Sequence, residues 1–334
     1  MNIQTMRIID HYAGNTLCYL FSIYERIIRP FIKKDTGPIR EILVMKYFGI
    51  GSILLSVPMF RALRKSFPTA KITFLSFYNN AEICQRLQFA DKYLYLRKEN
   101  LRIFITDLIK VLFELRRHKF DIAIDMEFFS KFTSIVTYLS RARIRTGFYV
   151  RNEPRTKLYT NPVYFNYYRH ITQIFLALAE EVGADTEDTG LSKIKISDEE
   201  KDYAHRLIRK YRLGETKRVI INVNAGEMCI ERRWPRDNFV SLINSLARNR
   251  ALSFIFIGTG EEREYVQTVI DSLNSTERVV NLAGRTNIGQ LLALFEESDL
   301  FITNDGGPLH LAELTDCLLY TSDAADELDG VDLG

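Results

Sequence analysis

From Glu41 onward the chain switches repeatedly between two hydrophobic periods, and this alternation limits its fold more than any other feature. Ile42-Leu43-Val44-Met45 is an unbroken apolar run, the pattern of a parallel strand buried on both faces. Ile53, Val57, Phe60 and Phe67 follow at helical spacing, and Pro58 among them predicts a first turn or a kink. Further strands are expected over 71–75, 93–96, 120–124 and 144–148, with a helix over 101–117 that lines up Phe104, Leu108, Leu112 and Leu115. A polar, non-periodic stretch from Gly183 to Ser192 interrupts the pattern, which then restarts with strands over 219–223, 252–257, 279–282 and 300–303. Repeated strand–helix–strand units require a parallel sheet covered on both faces. Two such runs predict an α/β fold with two Rossmann-like domains in tandem.

The bulk properties agree. A length of 334 residues suits two domains of about 150 residues each. Apolar residues at 46% and charged residues at 26% describe a globular chain and exclude a disordered one. Cys18, Cys84, Cys229 and Cys317 have no metal-ligand or disulfide spacing, so neither a zinc site nor a disulfide framework is expected. The formal charge of +3 conceals an asymmetry. Residues 316–334 carry six acids and no base, and without those acids the charge is +9. A body that basic is drawn to anionic membrane surfaces or phosphorylated acceptors. No stretch reaches the ~20 apolar residues of a membrane span, and no signal-peptide pattern is present. Residues 5–34 read as one or two amphipathic helices, either packed on the first domain or lying on a membrane surface.

In open α/β sheets ligands bind where strand carboxyl ends feed helix N-termini, and four such loops carry chemistry. The first is Lys46-Tyr47-Phe48-Gly49-Ile50-Gly51-Ser52; it lacks the third glycine and the later acid of a dinucleotide fingerprint. In the second, Asn222, Asn224 and Gly226 precede Arg232-Arg233-Trp234-Pro235, and guanidinium forks suit a diphosphate. The third, Gly258-Thr259-Gly260-Glu261-Glu262, offers an acid to ribose hydroxyls, though acids at a helix start also favour its dipole. The fourth, Thr303-Asn304-Asp305-Gly306-Gly307-Pro308 with His310 and Ala312, combines exposed amides, a carboxylate and an imidazole at one strand–helix junction.

In order and spacing, these segments resemble glycosyltransferase family 9, the lipopolysaccharide heptosyltransferases, from Ile42 to about Leu314. The stretch Asn281-Leu282-Ala283-Gly284 is similar to a turn of that family as well. The resemblance implies a GT-B fold, with two parallel sheets facing across a cleft. It also implies an inverting, metal-independent transfer from an ADP-heptose or related nucleotide-sugar donor, with no further cofactor. By the same resemblance Arg232 binds the diphosphate, Glu261 or Glu262 the ribose and Asp305 the sugar, while Gly306 and Gly307 supply amides and His310 matches the family histidine. Asn224 and Gly226 complete the donor side; Lys46, Gly49, Gly51 and His170 fall on the acceptor side.

Two departures qualify the match. Gly306 replaces a hydroxyl residue, and Ser52 stands where many members carry an aspartate that takes the acceptor proton. A serine hydroxyl is too weak a base for that work. Asp125 and Glu127 alternate at the end of another strand, so Glu127, with Asp125 behind it, is the expected substitute. The expected organisation is an amphipathic segment over 1–38, an acceptor-side domain over 39–183, a linker over 184–195 and a donor domain over 196–315. Residues 316–334 lack periodicity and read as a non-native tail, leaving the second domain without its last part. The expected activity is sugar transfer to a lipopolysaccharide-core or other glycolipid acceptor, at the cytoplasmic face of a bacterial inner membrane with a peripheral contact to it. Nucleic acid is not an expected partner. Rival readings are a nucleotide-sugar-binding homologue without transfer activity and a nucleotide-sugar epimerase.

Overall fold

The computed structural model describes residues 3–28, 37–187, 194–225, 230–315 and 317–321. The chain divides into two compact units, Met1–Leu191 and Ser192–Gly334. Each is a Rossmann-like α/β unit on a parallel sheet, the fold class that the alternation requires.

The first unit opens with α1 (Ile3–Ile9), a π-helical turn over Asp10–Gly14, and α2 (Asn15–Ile28). Its sheet then alternates with helices: β1 (Glu41–Met45), α3 (Ile50–Leu55), α4 (Val57–Ser66), β2 (Lys71–Phe77), α5 (Ala81–Leu87), β3 (Lys92–Leu96) and α6 (Leu101–Arg117). After these come β4 (Ile122–Asp125), α7 (Lys131–Leu139), β5 (Ile144–Tyr149), β6 (Asn161–Tyr164) and α8 (Ile171–Glu181). The strand order is β3-β2-β1-β4-β5-β6, and every pairing is parallel. Ile42, Leu43, Val44 and Met45 are wholly buried, as a central strand covered on both faces demands. Burying each such side chain contributes roughly 1.5–3 kcal/mol. Pro58 takes the first turn of α4, where a missing N–H costs no hydrogen bond, and the helix is interrupted at Ser56.

The N-terminal helices belong to this unit. Both carboxylate oxygens of Asp10 accept amides at the start of α7, from Lys131 at 3.0 Å and Phe132 at 2.7 Å. Cys18 packs against Ile135 and Leu158, and Glu25 forms a buried ion pair with Arg145. β6 was not foreseen. Pro162 demotes a strand to an edge, and β6 is one of the two edges of this sheet.

The second unit begins with α9 (Asp198–Lys210), whose N-terminus carries a capping box between Ser197 and Glu200. β7 (Lys217–Asn222), α10 (Arg236–Leu246), β8 (Leu252–Phe256), α11 (Arg263–Asp271), β9 (Val279–Asn281), α12 (Ile288–Glu296), β10 (Leu300–Thr303) and α13 (Gly307–Ala312) follow. β11 (Leu318–Thr321) then completes a parallel sheet of order β11-β10-β7-β8-β9. β11 departs from the expected tail: Leu300 pairs with Leu318 and Thr303 with Thr321, so residues 318–321 form an edge strand. Leu318-Leu319-Tyr320 is a short β-favouring run, and β10 offers it an open ladder. The remainder of 322–334 lies outside the described residues.

Candidate functional site

In the first unit the chemistry gathers where β1 and β4 end side by side. Met45 pairs with Asp125, and the Met126 amide continues the ladder to the Met45 carbonyl at 3.0 Å. The next residue, Glu127, turns its carboxylate to the loop after β1. Its Oε1 accepts the amides of Tyr47 at 2.7 Å and Phe48 at 3.0 Å, and its Oε2 takes the Lys46 ammonium at 3.0 Å. Lys46 and Glu127 are both buried, and the Lys46 Nζ also lies 5.3 Å from the centre of the Phe128 ring. Burial strengthens this pair, so Glu127 holds the loop to the sheet.

Asp125 is a correction to the sequence reading. It does not share an accessible edge with Glu127: it is wholly buried, accepting from the Glu127 amide, the Thr133 hydroxyl and the Tyr159 hydroxyl. Burial pushes its carboxyl above the ordinary range, against the opposing pull of the Arg155 guanidinium 3.8 Å away. It is closed to solvent, and its bonds tie the end of β4 to α7 and to Tyr159.

Arg155 escaped the sequence reading altogether. It is wholly buried and donates to the carbonyls of Glu127 and Phe128 and to the Tyr159 hydroxyl. It fixes the loop after β4 from beneath. An arginine in Pro154-Arg155-Thr156-Lys157 reads as surface, and no local signal marks it as core.

The other first-unit candidates lie nearby or elsewhere. Gly49 caps α3 at φ +85°, a conformation that favours glycine, and an added Cβ would sit 3.2 Å from the Ser52 hydroxyl oxygen. Gly51 is buried and Ser52 partly exposed in that short helix. His170 is not beside Glu127 by any described bond; exposed, it caps α8 by accepting the Thr172 amide at Nδ1.

In the second unit three strand ends converge. The Asn222 side chain donates to the Asn224 carbonyl and the Thr303 hydroxyl, and the Asn304 side chain donates to the same carbonyl. The Trp234 amide donates to the Asn304 side-chain oxygen at 2.9 Å, and Arg232 pairs with Asp305 at 2.5 Å. The Arg-x-Trp segment and the late Asn-Asp segment, seventy residues apart in sequence, are thus one local structure. Asn224 is 2% exposed, yet neither polar atom of its side chain has a partner among the described residues. A buried unsatisfied amide costs about 1–3 kcal/mol, so a ligand that supplies hydrogen bonds is favoured there.

The glycine turn after β8 closes this cluster. An added Cβ on Gly258 would meet the Asn224 side-chain nitrogen at 3.0 Å, and one on Gly284, at φ +71°, would meet the Gly260 Cα at 2.7 Å. Glu262 accepts the Thr259 amide at 2.8 Å and so braces the turn, while Glu261 is exposed. Gly306 caps α13 and Gly307 opens it, and His310 of this short helix pairs with Glu313 just past its end at 3.0 Å. Gly226 lies outside the described residues. Among the described residues, no group of three His, Cys, Asp or Glu side chains is placed to hold a metal ion.

The profile of glycosyltransferase family 9 (heptosyltransferase) matches residues 108–316. The lipopolysaccharide core heptosyltransferase OpsX of Haemophilus influenzae is 25% identical over 206 residues, a match that covers 60% of this chain and 55% of that protein. Lipopolysaccharide heptosyltransferase 2 of Escherichia coli is 21% identical over 282 residues, covering 81% of this chain and 79% of its own. Among solved structures, a family 9 glycosyl transferase from Veillonella parvula superposes with a TM-score of 0.65 at 22% identity, covering 89% of each chain. The E. coli ADP-heptose lps heptosyltransferase II superposes with a TM-score of 0.66 at 20% identity, covering 84% of each.

Proposed function

Since this chain belongs to glycosyltransferase family 9, we propose that it transfers a sugar, a heptose or a close relative, from a nucleotide-diphosphate donor to a lipopolysaccharide-core or other glycolipid acceptor. The observation that carries the donor half is the convergence of Arg232 and Asp305 on the Asn224–Asn304 network. In the transfer, the bond between the anomeric carbon and the diphosphate breaks as the acceptor oxygen attacks from the opposite face, inverting that carbon. The departing diphosphate gains negative charge, and Arg232, released from Asp305, meets it. Asp305 is then free to accept from sugar hydroxyls. The Asn224 amide supplies hydrogen bonds to the donor, which removes its cost of burial.

The acceptor proton goes to a base. Ser52 is too weak an acceptor for it and Asp125 is sealed. Glu127 takes that role by exchanging Lys46 for the acceptor hydroxyl as its third partner. The chemistry draws on side chains and amides, with no metal ion assigned to it, and the donor we name is ADP-heptose. A lipid-linked acceptor also requires the protein to work against a membrane surface, at the cytoplasmic face where nucleotide sugars are found.

One observation favours a second reading. All three first-unit candidates are either too weakly basic or committed to the fold, as a donor-binding homologue without transfer activity would allow. A thermal-shift panel of nucleotide sugars, followed by assay of nucleotide release with and without a lipopolysaccharide-core acceptor, separates the two. Stabilisation by a donor with acceptor-dependent release supports transfer. Stabilisation without release supports the binding homologue, and neither response to any nucleotide sugar refutes the donor site.

A further inference from the structure

We propose that one face of the first unit, formed by α1, α2 and α6, docks on the surface of an anionic lipid bilayer. The inference goes beyond the transfer reaction and does not depend on which donor is used.

α6 and α7 cover the same side of the sheet: Val111, Leu115 and Val136 share one core cluster with Leu43, Met45 and Leu75. α2 packs along α7 through Cys18 and Ile135, and Met6 of α1 reaches the cluster that Phe104 and Leu108 help close. α7 is thereby covered, and α1, α2 and α6 are the outer layer.

An amphipathic helix on a globular protein ordinarily turns its apolar stripe inward. α2 does the reverse. It buries Cys18, Ser22 and Glu25, and leaves Leu20, Ile23, Tyr24 and Ile27 between 44 and 61% exposed. These four recur at the 3–4 residue spacing of one helix face. α6 buries Val111 and Leu115 yet presents a second stripe, Leu101, Ile105, Ile109 and Phe113, each four residues on from the last and 45–64% exposed. Apolar surface on this scale marks an interaction site.

Charge selects the occupant. Every acid on these three elements and the turn between α1 and α2 has a partner. Asp10 caps α7, Glu25 pairs with Arg145, Asp107 is gripped by Arg97 and Glu114 pairs with Lys92. The exposed charges are basic: Arg7, Arg26, Arg102, Lys110, Arg116 and Arg117. An apolar face whose own helices expose only basic charges matches acyl chains beneath anionic headgroups. A second copy of this chain would bring the same positive rim against it. Among the described residues no helix is long and apolar enough to cross a membrane, so the face lies on the surface.

The test is co-sedimentation of the full chain with vesicles of phosphatidylcholine, and of phosphatidylcholine mixed with phosphatidylglycerol. Three variants are compared: Ile23→Ser with Ile27→Ser, Ile109→Ser with Phe113→Ser, and Arg102→Glu with Lys110→Glu. The parent is expected to bind the mixed vesicles, to bind the neutral ones far more weakly, and to release as salt is raised. Each apolar pair of substitutions should lower partitioning on the order of tenfold or more. Melting temperatures should be unchanged, because these side chains are exposed. Absence of binding to the mixed vesicles overturns the proposal, as does equal binding by parent and variants. A parent that sediments as a dimer and falls to monomer on these substitutions assigns the face to a second copy instead, and equally overturns it.

Discussion

Replacing Glu127 with Gln changes one oxygen to an amide, and its effect can be worked out bond by bond. The Tyr47 and Phe48 amides keep an oxygen acceptor, but the Lys46 ammonium, 3.0 Å from Oε2, either faces an NH2 group or forces the side chain to flip and abandon both amides. Either way a buried charge loses its counterion. Breaking a buried pair from one side costs about 3–5 kcal/mol. For a unit of this size that lowers the melting temperature on the order of 10 °C. The double variant Lys46→Met with Glu127→Gln removes the stranded charge, and replacing a buried pair with apolar volume is often neutral. Calorimetry should therefore find a large deficit in the single variant and recovery of most of it in the double. A single variant melting within about 2 °C of the parent would refute the brace. Turnover at a temperature where all forms are folded then separates the two roles of Glu127. If the carboxylate also takes the acceptor proton, the double variant regains stability without regaining rate.

Four further outcomes are expected. Arg232→Ala should lower kcat/KM for the donor by about 2–4 kcal/mol in transition-state terms with the fold intact; unchanged steady-state kinetics would remove the diphosphate assignment. Gly147→Ala places a Cβ 2.4 Å from the Tyr159 ring, which is tied to Asp125 and Arg155, so urea titration should show a loss of about 1–3 kcal/mol. Gly284→Ala meets both a positive φ and the Gly260 backbone at 2.7 Å, and should cost roughly 2 kcal/mol while weakening donor binding by calorimetry. Asp125→Asn should destabilise, and its deficit should depend on pH. Because burial raises the folded carboxyl, the stability it contributes is full below about pH 4 and is lost as pH rises through the raised value, so the deficit narrows with rising pH. A deficit that widens instead would mean that Arg155 keeps the carboxylate ionised throughout.

The two sheets were legible because burial on both faces leaves unbroken apolar runs, as in Ile42–Met45 of β1 and Val219–Ile221 of β7, and these need no knowledge of partners. β6 was hidden by Pro162, and β11 by its shortness beside an acidic stretch, since edge strands carry weak patterns. The orientation of α2 was not legible either. Its periodicity fixes an apolar face but says nothing of which face turns inward. That was decided by Asp10 at the start of α7 and by Arg145 reaching Glu25, contacts more than a hundred residues apart.

The candidate site divides along the same line. Position within a strand–loop–helix pattern is written locally, so Lys46, Glu127, Asn224, Arg232 and Asp305 could be picked out, and Arg232 and Asp305 do meet. The role of a carboxylate, however, is set by what lies within 3 Å of it. Asp125 and Glu127 are two residues apart and chemically alike, yet one is enclosed by Thr133, Tyr159 and Arg155 while the other faces Lys46 and two amides. Alternation along a strand predicts where the side chains point and is silent on their partners. Arg155 shows the cost of that silence most directly: from 28 residues downstream it supports the loop that carries Glu127. Any chemistry carried out from this loop therefore depends on an arginine buried beneath it, and loss of Arg155 would misplace Glu127 without removing any charge from the surface.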